Sequence, residues 1–401
     1  MRKFITILSF LVFVWSVYVI SQIGPTSYYK FKCMQNDIPS CSKYLFIQGW
    51  ENTKKESYTT NLDKQNWNYW KKRYLKEIQT EQDAYLAISS MLASLDDPYT
   101  RFLTPEEVEE QNMDINAELS GIGVVISSQD GKIKVEDVIE GSPAFKNGMK
   151  INDIIIKING TSVSGFDIKK VANMIRGKAG TKVDLVINRN NKILNKKITR
   201  DKIKIKSVST KEISKEIGYI RISTFMSMDT SKEFLTALKN LKNPKIVLDL
   251  RGNQGGLLQN ATFISNILLK EGTIVSIISK GNRKDNIKVQ PAGAHEYRPI
   301  VVLTNGLTAS SSEILAATLQ ENDRAKLIGN KTYGKGLIQK IVPLPFNTAM
   351  NVTIAKYLTP DGHDINKNGI KPDYEIDFSE RDLKTGKDVQ LEKAIEVLKN
   401  I

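Results

Sequence analysis

The sequence predicts a mixed α/β (α+β) core, interrupted by an inserted strand-rich domain and flanked by helical segments at both ends. Three observations carry this expectation. Two nearly continuous apolar runs, Lys245–Leu250 and Pro299–Leu303, read as strands buried on both faces, and helical stretches alternate with them. Residues 115–200 read instead as short strands separated by glycine turns. Residues 45–113 and Asp388–Leu398 carry apolar side chains at helical spacing.

The 401 residues exceed one compact core at about 100–200 residues per domain. Five segments are expected: a membrane anchor at 1–22, a helical region at 23–113, the strand-rich domain at 114–200, the α/β core at 201–380 and a terminal helix at 381–401. Apolar residues make up 40% and charged residues 25%, a globular balance. The +14 charge comes from 58 basic and 44 acidic residues, but the lysines are scattered and no aromatic platform interleaves them. Nucleic acid is therefore not an expected partner. Two histidines, His295 and His363, and two cysteines, Cys33 and Cys41, are too few for a zinc centre. No metal and no cofactor is expected.

Arg2 and Lys3 precede Phe4–Ile20, 17 residues without a charge, just enough for a membrane span. Basic residues ahead of the run keep the N-terminus cytoplasmic and send the rest across. No A-x-A pattern follows, which favours an uncleaved anchor over a cleaved signal. No small-residue lipobox precedes Cys33. The expected location is the cell envelope, anchored in the inner membrane with the folded part on the periplasmic or extracytoplasmic side. That compartment permits a Cys33–Cys41 bridge, with two free thiols as the alternative.

Along the chain, Trp67, Trp70, Tyr74, Ile78, Tyr85, Leu86, Ile88, Met91 and Leu92 recur helically, and Asp97-Pro98-Tyr99 ends that run. Thr104-Pro105 starts another helix. Gly121–Ile126 reads as a strand, Asp130-Gly131 as a hairpin turn, and Ser142-Pro143 as the start of a short helix. Asp153–Ile158 is a strand closed by Asn159-Gly160, Phe166–Ile175 a helix, and Thr181–Arg189 a final strand. In the core, Gly218–Ile222 and Lys326–Gly329 read as strands, and Asp229–Leu241, Leu257–Leu269 and Ala309–Gln320 as helices.

The chemistry centres on Ile300–Ala317, where a buried strand runs through a polar turn into a helix. Such a turn presents hydroxyls and free N–H groups at the carboxyl edge of a sheet. A serine there is a candidate nucleophile, although taken alone an ordinary helix cap is the commoner role. Both histidines sit in turns, and no G-x-S-x-G elbow surrounds Ser310. A lysine base remains, provided its surroundings favour the neutral amine. Lys335 stands out because Gly334 and Gly336 flank it and an apolar strand follows. If Leu337–Gln339 is extended, Lys335, Leu337 and Gln339 face one way. Gly329–Lys335 also fits the first seven positions of a phosphate-binding loop. Gly336 stands where Ser or Thr must hold magnesium, and a strand follows instead of a helix, so nucleotide hydrolysis is not expected.

Several motifs together resemble the carboxyl-terminal processing proteases, tail-specific serine proteases that carry a PDZ domain. They are Asp97-Pro98-Tyr99, Gly121-Ile122-Gly123, Gly141-Ser142-Pro143-Ala144, Asp249–Gly256, Thr308–Glu313, Thr332–Gly336, Gln339, Tyr357–Gly362 and Gly369–Asp373. The resemblance covers roughly 85–400. It implies an inserted PDZ domain and a Ser–Lys dyad with Ser310 as nucleophile, Lys335 as base and Gln339 orienting the amine. The family's stretch is Ser-Ala-Ser-Ala-Ser-Glu; Thr308 and Ser311 depart from it here, so Ser311 and Ser312 remain as neighbouring hydroxyls. The implied oxyanion donors are the amide of Ser311 and that of Gly255, with Gly256 second. A substrate's terminal carboxylate is expected at Leu119, Ser120, Gly121, Ile122 and Gly123. Arg176 is expected to gate the core.

The implied function is an exported serine endopeptidase acting on protein or peptide substrates with free C-termini. It would be held at the membrane by its N-terminal helix, with a homodimer through terminal helices or an adaptor protein as further partners. The rival reading is a PDZ scaffold with an inert hydrolase core, against which intact Ser310 and Lys335 argue.

Overall fold

The computed structural model describes residues 25–401 apart from 59–61, 63, 116–117, 130, 205, 291–295, 380–381 and 383–385. The expected anchor at 1–22 lies outside them. Among the described residues no helix is long and apolar enough to cross a membrane.

The chain opens with helices α1 (Pro25–Cys33), α2 (Ile38–Glu56), α3 (Asn68–Tyr74) and α4 (Glu81–Ala93), then strand β1 (Arg101–Leu103) and α5 (Pro105–Ile115). Cys33 and Cys41 form a disulfide joining α1 to α2. Next come β2 (Glu118–Gly121), β3 (Val124–Gln129), β4 (Lys132–Val138), α6 (Pro143–Lys146), β5 (Ile154–Ile158), β6 (Thr161–Ser162), α7 (Ile168–Ile175), β7 (Lys182–Arg189), β8 (Lys192–Thr199) and β9 (Asp201–Lys204). The remainder is β10 (Val208–Glu212), β11 (Ile217–Ile222), α8 (Thr230–Asn240), β12 (Lys245–Asp249), α9 (Leu258–Leu268), β13 (Thr273–Ser279), β14 (Arg283–Lys288) and β15 (Ile300–Thr304). It ends with α10 (Ser311–Glu321), β16 (Ala325–Gly329), β17 (Leu337–Pro343), β18 (Ala349–Leu358), β19 (Tyr374–Glu375) and α11 (Val389–Lys399).

These elements form two compact units that do not follow chain order. One gathers the described residues up to Glu110 with Glu271–Pro291 and Gly334–Gly369. Its sheet runs β1-β18-β13-β14, with β17 also on β18. Leu45, Phe46, Ile88, Met91 and Leu92 of α2 and α4 share a core with Val342, Met350 and Val352 of the sheet. The cap of α4 follows from its sequence: Thr80 Oγ1 accepts from Asp83 N–H, and Asp83 accepts from Thr80 N–H. Leu86, expected on the apolar face, is 60% exposed. The trio β1 went unread because three residues show no period, and only β18 supplies its ladder.

The second unit holds the strand-rich domain and the larger α/β sheet. The smaller sheet runs β3-β4-β5-β7-β8, so that among the described residues one edge of β3 is free, with α7 packed against that strand. The expected single strand Gly121–Ile126 is two. The ladder of β2 with β9 ends at Gly121, and β3 begins at Val124. Gly123 makes the break with φ +82, and a Cβ there would lie 2.3 Å from the Ser142 side chain. Nor is β7 the last strand. Asn190 and Asn191, with φ of 49 and 63, make the turn into β8, and asparagine tolerates that left-handed region best after glycine. The larger sheet runs β10-β11-β12-β15-β16-β19, parallel from β11 onward. Val247, Val301, Leu303 and Ile328 meet Ala394, Val397 and Leu398 of α11. The terminal helix is thus one layer of this core rather than an appendage.

Candidate active site

Two neighbouring parallel strands place the candidate serines. Strands β12 and β15 pair from Ile246↔Ile300 to Asp249↔Leu303, so their carboxyl ends deliver residues 250–257 and 305–310 side by side. The two turns are stitched together. Thr308 Oγ1 donates to Leu250 O at 3.0 Å, Ala309 N–H to Asn253 O at 3.0 Å, and Gly252 N–H to Asn305 Oδ1 at 2.9 Å. Thr308, a departure from the family text, is fully buried and serves as one of these stitches.

Ser310 stands at the N-cap of α10 with φ 56 and ψ −121, a strained conformation for a residue with a Cβ. Glu313, wholly buried, helps hold it there. Its carboxylate accepts Ser310 N–H at 2.9 Å and also the Thr332 hydroxyl, while Glu313 N–H donates to Ser310 O at 2.8 Å. The three adjacent serines now separate. Ser311 is 2% exposed and its hydroxyl donates to Gly256 O at 2.8 Å; Ser312 is fully buried. Ser310 alone of the three is partly open to solvent.

Gly255 packs directly on this segment. A Cβ there would sit 2.7 Å from Ala309 O, 2.8 Å from Ser310 Cβ and 2.9 Å from Ser311 N, at φ +94. Its N–H donates to Asn253 Oδ1 at 2.9 Å. Gly256 forms a parallel bridge with Phe225, in which Phe225 N–H donates to Gly255 O and Leu257 N–H to Phe225 O, both at 2.9 Å. That pattern turns the N–H and C=O of Gly256 itself to the opposite side, toward Ser311. Among the described residues neither Gly256 N–H nor Ser311 N–H has an acceptor. The Gly255 amide, first in the order expected from the sequence, is thus engaged by Asn253, and that of Gly256 is the other donor of the pair.

Beneath the glycine turn, buried Asp249 accepts from Tyr219 Oη at 2.6 Å and from Arg251 Nη2 at 2.7 Å. Burial, and then this carboxylate, push the Tyr219 phenol up to about 12. Arg251 also grips both oxygens of Asp388, the N-cap of α11, at 2.9 Å each. The turn is thereby tied to the terminal helix.

Lys335 and Gln339 belong to the other unit. Gly334 and Gly336 do permit close approach: a Cβ on Gly334 would meet the backbone of Gly369 at 2.9 Å, and one on Gly336 the N of Asn366 at 2.8 Å. Tyr357 Oη donates to Lys335 O, and Tyr357 N–H to Gly336 O at 3.0 Å. The half-buried Lys335 extends its amine over the Tyr99 ring, 4.8 Å from the centroid. Tyr99 is placed by Asp97, which accepts from Tyr99 N–H at 3.0 Å and from Thr100 Oγ1 at 2.6 Å. Gln339 Nε2 donates to Thr353 Oγ1 at 3.4 Å. A bulge between Ile338 and Gln339 breaks the strict alternation expected there. Exposed His363 lies in a turn of this unit, and His295 lies outside the described residues. Sequence reasoning assigned no role to Tyr99, Asn253, Glu313 or Thr332. The motif text around them was the available signal.

In the strand-rich domain, Leu119, Ser120 and Gly121 lie in the β2 ladder, and Ile122 and Gly123 form the turn into β3. Arg176 is exposed at the end of α7. Arg200 does the capping there instead, donating to Ile175 O at 2.7 Å, Met174 O at 3.0 Å and Lys182 O at 2.9 Å.

Comparisons with known proteins bear on the family and the fold. Residues 216–376 match peptidase family S41, and residues 134–189 match a PDZ domain. The chain is 39% identical over 343 residues to a carboxyl-terminal-processing protease of Picosynechococcus sp., covering 82% of each chain. It is 35% identical over 369 residues to one of Synechocystis sp., covering 88% of this chain and 86% of that one. Among solved structures it resembles a photosystem II D1 C-terminal processing protease, with a TM-score of 0.57 and 30% identity over 84% of this chain and 93% of that one. The parallel sheet with its strained serine, the inserted PDZ domain and these relatives lead to one conclusion: the chain belongs to the carboxyl-terminal processing proteases, PDZ-bearing serine peptidases of family S41.

Proposed function

We propose that Ser310 attacks the scissile carbonyl of a protein substrate, with Lys335 as general base and then acid. The observation that carries this is the sorting of the three serines: Ser310 alone is strained and partly exposed, at a helix N-terminus against a glycine turn. The base must arrive as a neutral amine, take the Ser310 hydroxyl proton, and return it to the leaving nitrogen. Gln339 orients that amine, which lies over the Tyr99 ring. The N–H groups of Ser311 and Gly256 take the developing oxyanion, aided by the α10 dipole. Lys335→Arg should abolish turnover, because arginine stays protonated. Near-normal activity in that variant would remove Lys335 from the mechanism.

The PDZ domain captures the substrate tail. The free edge of β3 supports addition of an extended peptide, and the turn at Ile122 and Gly123, following Leu119, Ser120 and Gly121, supports carboxylate binding by backbone amides. Amidating a substrate's C-terminus should then raise KM for the full chain; equal KM for acid and amide counts against tail recognition. Arg176 transmits that binding to the core. Support comes from its exposure at a helix end that Arg200 already caps. Arg176→Ala should lower turnover of tailed substrates without changing tail affinity.

The enzyme works on the exported side of the membrane, held by the apolar run 4–20. The disulfide joining α1 to α2 suits that compartment. So do Phe31, Met34 and Ile38, which are 58, 77 and 67% exposed shortly after the run. A second copy or an adaptor docking on the terminal helices completes the proposal, and sedimentation of the detergent-solubilised chain tests it.

A further inference from the structure

We infer that the Ser311 hydroxyl is a positioning group that sets the oxyanion-binding amide of Gly256. This rests on the reading of Ser310 as nucleophile and goes beyond it, because the stretch that the chain resembles has alanine at this position. The departure has a structural consequence: Ser311 Oγ donates to Gly256 O at 2.8 Å, from a side chain only 2% exposed.

Gly255 and Gly256, with φ of 94 and 146, are the two adjacent residues whose backbone is intrinsically freest to reorient. Besides the Gly255 N–H bond to Asn253 Oδ1 and a long one from Thr224 Oγ1 to Gly255 O, three hydrogen bonds restrain them. Two come from one side, where Phe225 N–H holds Gly255 O and Phe225 O holds Leu257 N–H. The third comes from the nucleophile's own helix, through Ser311. The Gly256 N–H shares a peptide plane with Gly255 C=O, which Phe225 N–H holds, while the Gly256 C=O lies in the next plane; the Ser311 bond to that carbonyl fixes the far side of the residue and limits the rotation by which its N–H could turn away. Ser311 thus supplies one oxyanion amide through its own backbone and, through its side chain, ties down the residue that carries the other. Oxyanion stabilisation depends on donors that need no reorganisation during the reaction. Without the hydroxyl, the Gly256 carbonyl loses its partner and the turn must be ordered as charge develops.

The test is steady-state kinetics of the full chain on a tailed peptide, together with inhibition by a peptide aldehyde that adds to Ser310 as a tetrahedral adduct. Ser311→Ala restores the residue of the family pattern and should fold. It should lower kcat by about three- to tenfold, the worth of one neutral hydrogen bond, with KM within about twofold. The aldehyde's Ki should rise by the same factor as kcat falls. Ser311→Thr, which keeps a hydroxyl on the same carbon, should recover most of both. Unchanged kcat and aldehyde affinity in Ser311→Ala would overturn the inference. So would a lowered melting temperature with kcat intact, the signature of a purely structural bond. Ser310→Ala run in parallel separates the two readings: if it retains activity the nucleophile assignment fails. If it is inactive while Ser311→Ala is normal, only the positioning role fails.

Discussion

At the scale of single residues the site depends on how closely backbone can approach backbone. Gly255 illustrates this, because any Cβ there would fall within 2.9 Å of Ser311 N and nearer still to Ala309 O. Neither neighbour is the flexible end of a side chain, so the nucleophile segment itself must move. Gly255→Ala should lower kcat/KM by at least about a hundredfold, the scale of a displaced catalytic group. Gly252→Ala is the matched control. It has φ +73 in the same turn, but its nearest neighbour would be the end of the Arg221 side chain at 3.7 Å. It should cost some stability and little activity; equal losses in the two variants would refute the close-approach argument. Sequence could place three serines at this helix start but could not rank them on residue type. Burial ranks them, and burial is set by α10 seating against the glycine turn.

At the scale of elements, patterns that depend on local chemistry were legible and those that depend on a distant partner were not. The apolar runs at 245–250 and 299–303 became β12 and β15, since a parallel strand covered on both faces must be apolar throughout. The Ser142, Asp167 and Asp388 caps each accept an N–H three residues on. By contrast β14, with exposed Arg283, Lys284 and Asp285, has no apolar alternation, and only its hairpin with β13 defines it. Arg176 stands at the end of α7 in sequence. Arg200, 25 residues beyond Ile175, folds back to satisfy the carbonyls instead. Being 8% exposed with three backbone acceptors, Arg200 should contribute about 2–3 kcal/mol to the PDZ domain. Arg200→Ala should therefore lower the denaturation midpoint and speed hydrogen exchange at the end of α7, whereas Arg176→Ala should change neither.

At the scale of the molecule, the chain order hides the grouping. Residues 271–291 and 334–369 join the N-terminal helices because β18 pairs with β1, about 250 positions earlier. Within the other unit, the terminal helix is bound by ion pairs with a definite pH dependence. Burial raises the Asp388 carboxyl, but hydrogen bonds from Arg251 and Leu391 N–H outweigh it and hold the group below the ordinary range. Glu296 behaves alike through Arg298. Carboxyls lowered in the folded state stabilise it fully above their unfolded values near 4, and that contribution is lost as pH falls through the folded ones. The melting temperature should be flat above about pH 5 and drop below about pH 4, with a shallower drop in Asp388→Asn. An unchanged acid limb in that variant would separate the Arg251–Asp388 pair from stability.

The most direct test of the central claim is the site of covalent modification by an active-site phosphonylating reagent, mapped by peptide mass spectrometry on the full chain. Three hydroxyls stand in a row, at Ser310, Ser311 and Ser312, and the reagent needs both an open oxygen and a base to activate it. The expected result is modification at Ser310 alone in the wild-type chain, and none in Lys335→Ala. Modification at Ser311 or Ser312, or undiminished labelling of Ser310 without Lys335, would contradict it.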